Sequence, residues 1–389
     1  MNILTLSIHS AGVRDSIGKA ARPLEYIKEL GTDQSISPSC LRSKRLVNIQ
    51  IVNPLHNSRW DKVALGMSDC TFFHSSFWAK TLAEAYRYTP FYVVLTDGVN
   101  PSAAIACMEV SSVLTGRRGV CLPFSDYCPP LSTDPRKLPA LFHEVFQWGI
   151  RRGWKYMEWR TGGSILGGQI PYQAYLGHRL SLGRTEDELS GMLRDSTKRN
   201  VQKAVREGVR IRVLHSEEAM HAFYRLNCMT RRDHGLPPQP KSFFGKVYKH
   251  IIAPKNGCVI LAVWEDKPIA ASIYVHFGDK ATFKYGASDK RFHYLRANNL
   301  VMYEAIRLYA GQGYRTLDLG RTDLQNKGLL QFKRGWGGVE YPIHYYRYNL
   351  EAGSFEKDVR DLSKYKPLVR ILPIPVLELA GKILYRHMG

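Results

Sequence analysis

Gly153-Trp-Lys-Tyr-Met-Glu-Trp-Arg-Thr161 can be laid over Gly313-Tyr-Arg-Thr-Leu-Asp-Leu-Gly-Arg-Thr322 with a single extra glycine in the second copy. Each reads as a strand following a segment of helical period, Leu138 to Arg152 in one case and Asn298 to Tyr309 in the other. Outward from the first copy lie FYVVLTD and AAIACMEV, two strands around a Gly/Asn/Pro turn, and before them a helix from Ser75 to Tyr86. Outward from the second lie the strand KATFKYG, the strands CVILAVW and PIAASIYVHF around Glu265-Asp266-Lys267, and a helix from Glu217 to Arg232. The same elements in the same order point to an internal duplication. Two such units predict an α/β chain with mixed sheets, in two domains, each with an antiparallel part and a helix crossing back to a central strand.

Thr185-Glu-Asp-Glu188 is a capping-box pattern that opens a new helix, and it places the boundary between the blocks. The expected division is an extension over residues 1–45, a first domain over 46–186, a second over 187–350 and a helical extension over 351–389. In that last piece Val376, Leu379, Ala380, Ile383 and Leu384 share one face. Docking of that face on the core is favoured over a membrane-surface anchor, because the segment is short and mildly basic.

The 389 residues carry 55 Lys+Arg against 34 Asp+Glu, a formal charge of +21, which draws phosphate-bearing or otherwise anionic partners by long-range attraction. Nucleic acid, sugar nucleotides, coenzyme A and anionic lipid headgroups all satisfy that requirement, and so does a plain solubility effect. The seven cysteines are scattered without a CxxC pair or a nearby Cys/His set, so neither a disulfide framework nor a metal site is expected. The first residues lack the pattern of a secretory signal and no run is long enough to span a bilayer. The expected location is cytoplasmic, with contact at the inner face of the cell membrane left open.

Three segments carry candidate chemistry. The stretch Ser196 to Gly208 reads as a helix with Ser196 as N-cap and Gly208 just past its end. Arg199, Lys203 and Arg206 form one stripe on it and Lys198 sits beside its N-terminus, an arrangement suited to a polyanion or simply to a solvated face. Thr230, Arg231 and Arg232 close the next helix, where guanidinium forks could clamp a phosphate, although the helix dipole already accounts for cations there. The segment Asp318 to Gly338 follows a short strand and is dense in glycine, charge and aromatics, as loops at strand ends that hold sites often are. In it Phe332 and Trp336 pack on one side of a helical turn and leave Lys333 and Arg334 to project elsewhere. A cation held there could stabilise the oxyanion formed when an amine attacks an ester or thioester. From spacing alone, an ordinary surface lysine is the simpler reading. There is no nucleophile elbow, HExxH or P-loop, so direct transfer between two bound substrates fits better than a covalent enzyme intermediate.

From Phe73 to Tyr348 the chain resembles the FemABX family, also described as BioF2-like acetyltransferase domains, which consist of tandem GNAT-like folds. The resemblance rests on Phe73-His-Ser-Ser-Phe-Trp78, Leu122-Pro-Phe-Ser-Asp-Tyr127, Ser196-Thr-Lys-Arg-Asn200 and Thr230-Arg-Arg232, in that order. It continues through Tyr285-Gly-Ala-Ser288, Asp318-Leu-Gly320 and Gly328-Leu-Leu-Gln-Phe-Lys333 with Gly335-Trp-Gly337. Family members transfer amino acids from aminoacyl-tRNA to the amine of a nucleotide- or lipid-linked peptidoglycan precursor, and relatives are linked to acyl transfer in polysaccharide synthesis. The resemblance implies two tandem GNAT-like domains, with Lys333, Phe332 and Asp318 as the catalytic set. It places Thr230, Arg231 and Arg232 at precursor phosphates and Tyr285 at the pocket, and the further substrate-binding candidates are Lys198, Arg199 and Lys203 of the basic helix with Arg321 and Trp336 of the glycine-rich segment. No permanently bound cofactor is implied, and the donor co-substrate is aminoacyl-tRNA or acyl-CoA. The long coiled-coil arm of some members has no counterpart between Arg232 and Cys258. The Arg/Gln-x-x-Gly-x-Gly/Ala loop that cradles coenzyme A in ordinary GNAT enzymes is absent too.

The leading expectation is therefore an acyl- or aminoacyltransferase forming an amide bond on an amine of a cell-envelope precursor. A rival enzyme is an acyl-CoA-dependent N-acyltransferase acting on an amino sugar for exopolysaccharide. A reading from another class is a non-catalytic basic module that binds RNA or membrane.

Overall fold

The computed structural model describes residues 47–98, 100–162, 165–166, 168–183, 185–357 and 366–389, so the expected extension over 1–45 lies outside the described residues. The first half begins with β1 (Val47–Val52), α1 (Trp60–Leu65) and α2 (Ser76–Tyr86), the last capped by Ser75, whose Oγ accepts from the Trp78 N–H at 3.3 Å. β2 (Thr89–Asp97), β3 (Asn100–Ser112), β4 (Gly116–Val120) and the short β5 (Leu131–Ser132) follow. Then come α3 (Leu138–Arg152), β6 (Tyr156–Thr161) and β7 (Gln173–Ser181). The second half starts with α4 (Glu186–Met192), opened by the Thr185/Glu188 capping box, then α5 (Asp195–Arg206), β8 (Arg210–Leu214), α6 (Glu217–Asp233) and α7 (Lys241–Val247). β9 (Gly257–Trp264), β10 (Lys267–Phe277), β11 (Lys280–Ser288), α8 (Ala297–Gly311), β12 (Thr316–Asp318), β13 (Thr322–Asp323) and α9 (Lys327–Arg334) come next. β14 (Val339–Asn349), β15 (Ser354–Phe355), α10 (Lys366–Ile371) and α11 (Ile374–Leu384) complete it.

The duplication read from the sequence is present in three dimensions. Gly153 and Gly313, which open the two aligned stretches, both sit at left-handed φ, 66° and 79°, where a side chain would be strained. β6 runs parallel to β4 with Met157 opposite Gly119, and β12 runs parallel to β11 with Leu317 opposite Ala281, so Met157 and Leu317 hold equivalent places. α3 and α8 are the crossing helices that make these parallel pairings possible.

All the described strands join one sheet, in the order β1-β2-β3-β4-β6-β14-β7-β12-β11-β10-β9-β8. The halves exchange their last long strands: β14, from the second, pairs with β6, and β7, from the first, pairs with β12. The two exchanged strands also pair with each other, antiparallel. One core cluster joins residues of both halves, including Trp78, Tyr92, Phe223, Phe243 and Ile273. Two others lie under α3 and under α8.

Two local expectations are corrected. α5 begins at Asp195 with Arg194, not Ser196, at its N-cap, because the Arg194 N–H is taken by the Gly335 carbonyl at 3.0 Å and the Arg194 carbonyl receives the Thr197 and Lys198 N–H groups. The C-terminal piece starts as strand β15 rather than helix, and α11 docks through the face opposite to the expected one. Leu377, Gly381 and Tyr385 point inward, while Val376, Leu379, Ile383 and Leu384 are exposed. A Cβ at Gly381 would lie 2.0 Å from the Pro238 carbonyl oxygen, so only a glycine face lets the helix approach that backbone.

Candidate active site

The strand exchange concentrates charge where it occurs. In β6 the carboxylate of Glu158 and the guanidinium of Arg160 lie on one strand face, two residues apart, and pair at 2.8 Å. Glu158 also receives Arg347 of β14, directly across the ladder, at 3.1 Å. Burial alone would raise the Glu158 pKa, but the two arginines outweigh it and hold the carboxyl at about 2. In β12, Asp318 is opposite Arg179 of β7 in the matching register and pairs with it at 3.4 Å. The Tyr341 hydroxyl donates to the same carboxylate, and Arg179 lies 4.8 Å from the centre of the Tyr341 ring.

Between these pairs lies the loop Leu122 to Tyr127. Leu122 and Phe124 adopt left-handed φ, 46° and 59°, a conformation that non-glycine residues keep only where the surroundings enforce it. Its carbonyls act as acceptors. Lys284 Nζ donates to Phe124 at 2.6 Å, Arg160 to Ser125 at 3.0 Å, and the Tyr345 hydroxyl to Ser125 and Asp126, both at 3.1 Å. The Asp126 side chain faces Lys284 at 3.3 Å and Arg321 at 3.6 Å, and Arg321 donates to the Tyr345 hydroxyl at 2.8 Å.

Lys333 is not the ordinary surface lysine that spacing suggested. It is 2% exposed, and its ammonium donates to the carbonyls of Gly320 and Arg321 at 2.8 and 3.1 Å. Gly320 is left-handed, φ 69°, and a Cβ there would stand 3.2 Å from the Asp126 carboxylate, so the lysine is anchored on the loop that abuts Asp126. Desolvation lowers its pKa to about 8, against the opposing pull of Asp126 and Asp318. Two of the three ammonium donors are thus taken by carbonyls.

A cavity of about 410 Å³ opens beside this cluster, with Asp126, Tyr127, Arg179, Thr282, Arg315 and Asp318 in its wall. A smaller one of about 140 Å³ lies at the N-terminus of α8, lined by Ser288, His293, Arg296, Asn298 and Phe332. Phe332 and Lys333, neighbours on α9, therefore point to different places: Phe332 lines the α8 cavity and the Lys333 ammonium holds the carbonyls of Gly320 and Arg321.

Of the sequence candidates, Asp318, Arg321 and Lys333 come together here. Tyr285 stands next to Lys284, with its hydroxyl buried and unpartnered. Thr230 ties α6 to the end of β11 through Ser288, at 3.0 and 3.1 Å. Arg231 bonds the Tyr385 hydroxyl at 2.8 Å and the Pro237 carbonyl at 3.3 Å, and Arg232 is half-buried beside it. Lys198, Arg199 and Lys203 lie on α5 away from its buried stripe of Thr197, Val201 and Ala204. Trp336 is 1% exposed in the core under α8, packed edge-on to Phe332 at 5.9 Å.

Sequence reasoning assigned no role to Asp126, Lys284, Glu158, Arg160, Arg179 or Tyr345. A signal existed for two of them: opposite charges at i and i+2 in an otherwise apolar strand, as in Met157-Glu-Trp-Arg160, have to be buried as a pair. Lys284 and Asp126 carry no such mark, because what makes them a pair is the approach of two distant segments.

Residues 192–334 match the family model described as Acetyltransferase (GNAT) domain. Among solved structures, the fold is similar to that of FemX, at TM-score 0.61 and 12% identity over 76% of this chain and 96% of that one. It is also similar to a tandem GNAT protein from the clavulanic acid biosynthesis pathway, at TM-score 0.50 and 9% identity over 78% and 98%. A third, L-PGS from Bacillus licheniformis, aligns at TM-score 0.49 and 13% identity over 80% and 95%. No curated protein sequence matches this chain. Fold and matched domain give an α/β fold of two GNAT-like units in tandem, with an acetyltransferase (GNAT) domain matched over residues 192–334 of the second. The fold is similar to that of FemX.

Proposed function

We propose that the chain forms an amide bond by moving an aminoacyl or acyl group onto an amine of a cell-envelope precursor, with Lys333 stabilising the oxyanion. One observation carries the reading: a buried lysine with a pKa of about 8, anchored by the carbonyls of Gly320 and Arg321 on the loop that abuts Asp126, itself a residue of the cavity wall. Asp126 and Asp318 line that cavity and attract an acceptor that arrives as an ammonium ion, which gives one proton to solvent before it attacks as the free amine. In the transfer, the amine nitrogen bonds to the carbonyl carbon and the ester C–O or thioester C–S bond breaks. The proton leaves the nitrogen for the departing oxygen or sulfur, directly or through water. Negative charge gathers meanwhile on the carbonyl oxygen, where the remaining Lys333 N–H is worth most because the site is dry. The donor is aminoacyl-tRNA or acyl-CoA, with the basic side chains of α5 and the α8 cavity offering places for its phosphates.

The test offers the purified chain aminoacyl-tRNA and acyl-CoA in parallel with an amine-bearing envelope precursor, with and without ribonuclease. Product from one donor identifies it, and ribonuclease abolishes only the tRNA-dependent reaction. A Lys333→Met variant should lose roughly 100- to 1000-fold in kcat with whichever donor works. Normal turnover by that variant would overturn the mechanism. Transfer from acyl-CoA to an amino sugar alone would replace the peptidoglycan reading with the exopolysaccharide one.

A further inference from the structure

α11 hides its small face and displays its large one. With Leu377, Gly381 and Tyr385 turned to the protein, Val376, Leu379 and Ile383 project outward at i, i+3 and i+7, about half exposed. α10, just before it, exposes Leu368 and Ile371, the latter at 77%. A second element, far away in sequence, adds to the same region. The tip of the β3–β4 hairpin carries Val113, 95% exposed, and Leu114, 66%. It is pinned to the turn after α11 by Ser112 Oγ, 2.8 Å from His387 Nδ1, and by Arg118, which donates to the His387 carbonyl at 2.7 Å. Isolated exposed apolar residues need no explanation, but a cluster assembled from a hairpin tip and two helices does.

The charge around this cluster says what it fits. Over residues 366–389 Lys366, Arg370, Lys382 and Arg386 are all exposed, and Arg117 is exposed beside the hairpin tip. The one carboxylate in that stretch, Glu378, is half-buried and turned towards Cys228 Sγ at 4.0 Å. Among the described residues of 366–389, the face therefore combines apolar side chains with cations and no exposed acidic side chain. No helix among the described residues is long and apolar enough to cross a membrane. We propose that α10, α11 and the β3–β4 tip form a docking face for an anionic phospholipid surface, the apolar side chains entering the headgroup boundary while the cations meet lipid phosphates. The inference stands apart from the transfer chemistry, since adsorption is measured without turnover.

The experiment is co-flotation of the full chain with vesicles of phosphatidylglycerol mixed into phosphatidylcholine, and with phosphatidylcholine alone. The chain should partition onto the mixed vesicles, at least roughly tenfold more than onto neutral ones, and the difference should shrink as salt rises. Leu379→Glu with Ile383→Glu, and separately Val113→Glu with Leu114→Glu, should each reduce partitioning about tenfold or more while thermal unfolding stays unchanged, because all four side chains are exposed. Lys382→Glu with Arg386→Glu should reduce it on mixed vesicles only. Failure to bind the mixed vesicles, or wild-type binding by both apolar variants, overturns the proposal. A dimer that the Leu379/Ile383 variant converts to monomer, without lipid binding by either form, overturns it in favour of a second copy of the chain.

Discussion

The crossing of β6 with β14 and the crossing of β12 with β7 are built alike and put to different use. Each sets a carboxylate opposite an arginine at the same register, Glu158 with Arg347 and Asp318 with Arg179. Yet the Glu158 side chain is 7% exposed and that of Asp318 17%, with their arginines at 21% and 41%. The first crossing is sealed, and a second arginine, Arg160, completes its neutralisation from within the strand. The second is open to a cavity, and near it is a lysine on a helix, α9, with no counterpart among the described residues of the first half. Duplication supplied two equivalent pairs, and the surroundings made one a fastening and left the other available to a ligand.

The sharpest way to break this comparison is to neutralise both carboxylates. Glu158→Gln should cost roughly 3–5 kcal/mol in urea unfolding, because it strands two buried guanidinium groups, whereas Asp318→Asn should cost about 1 kcal/mol or less. Equal losses would mean that the two crossings share one structural role. Activity should divide the other way: Asp318→Asn should lower transfer about tenfold or more at substrate levels below KM, with fold intact by circular dichroism.

Lys333 separates stability from activity within a single residue. Its folded pKa of about 8 lies below the ordinary lysine value, so the charged form is penalised in the folded state. The penalty is present below pH 8 and is relieved as pH rises from about 8 towards 10.5, which makes stability increase over that window. Lys333→Met should therefore abolish the increase of stability with pH over that window. Transfer by the native chain should fall as pH passes upward through about 8, because the oxyanion needs the protonated amine. A rate that rises through the same pH would assign Lys333 the role of base.

Glu158 has the opposite sign. Its carboxyl is held at about 2, so its contribution is complete above the unfolded value near 4.5 and is lost as pH falls towards 2. Acid unfolding of Glu158→Gln should lack that portion of the transition. The smallest expected effect is at α5, where Arg199→Ala with Lys203→Ala should change stability by less than about 0.5 kcal/mol. The same pair should weaken binding of a polyanionic donor and flatten its dependence on salt.

Much of the local structure was legible in the sequence because local chemistry decides it. The Thr185/Glu188 box and the span of α3 both follow from residues within a few turns of each other. The α5 start was misjudged by two residues, because a tertiary partner, the Gly335 carbonyl, holds Arg194 as the cap. The outward face of α11 was also unreadable, since periodicity identifies an apolar stripe but not whether a backbone approach at Gly381 outranks it.

By itself, then, the sequence determined the duplicated order of strands and helices, the equivalence of Glu158 and Asp318, and the Phe332-Lys333 pair. These depend on spacing along the chain. Only the tertiary structure decided which strand completes which half, that Lys333 is buried and held on the Gly320 loop, and that Asp126 meets Lys284 and Arg321. The strand exchange and the Asp126 contacts arise from segments more than a hundred residues apart closing on one another, and the burial of Lys333 from the desolvation that closure imposes on the charges caught between them.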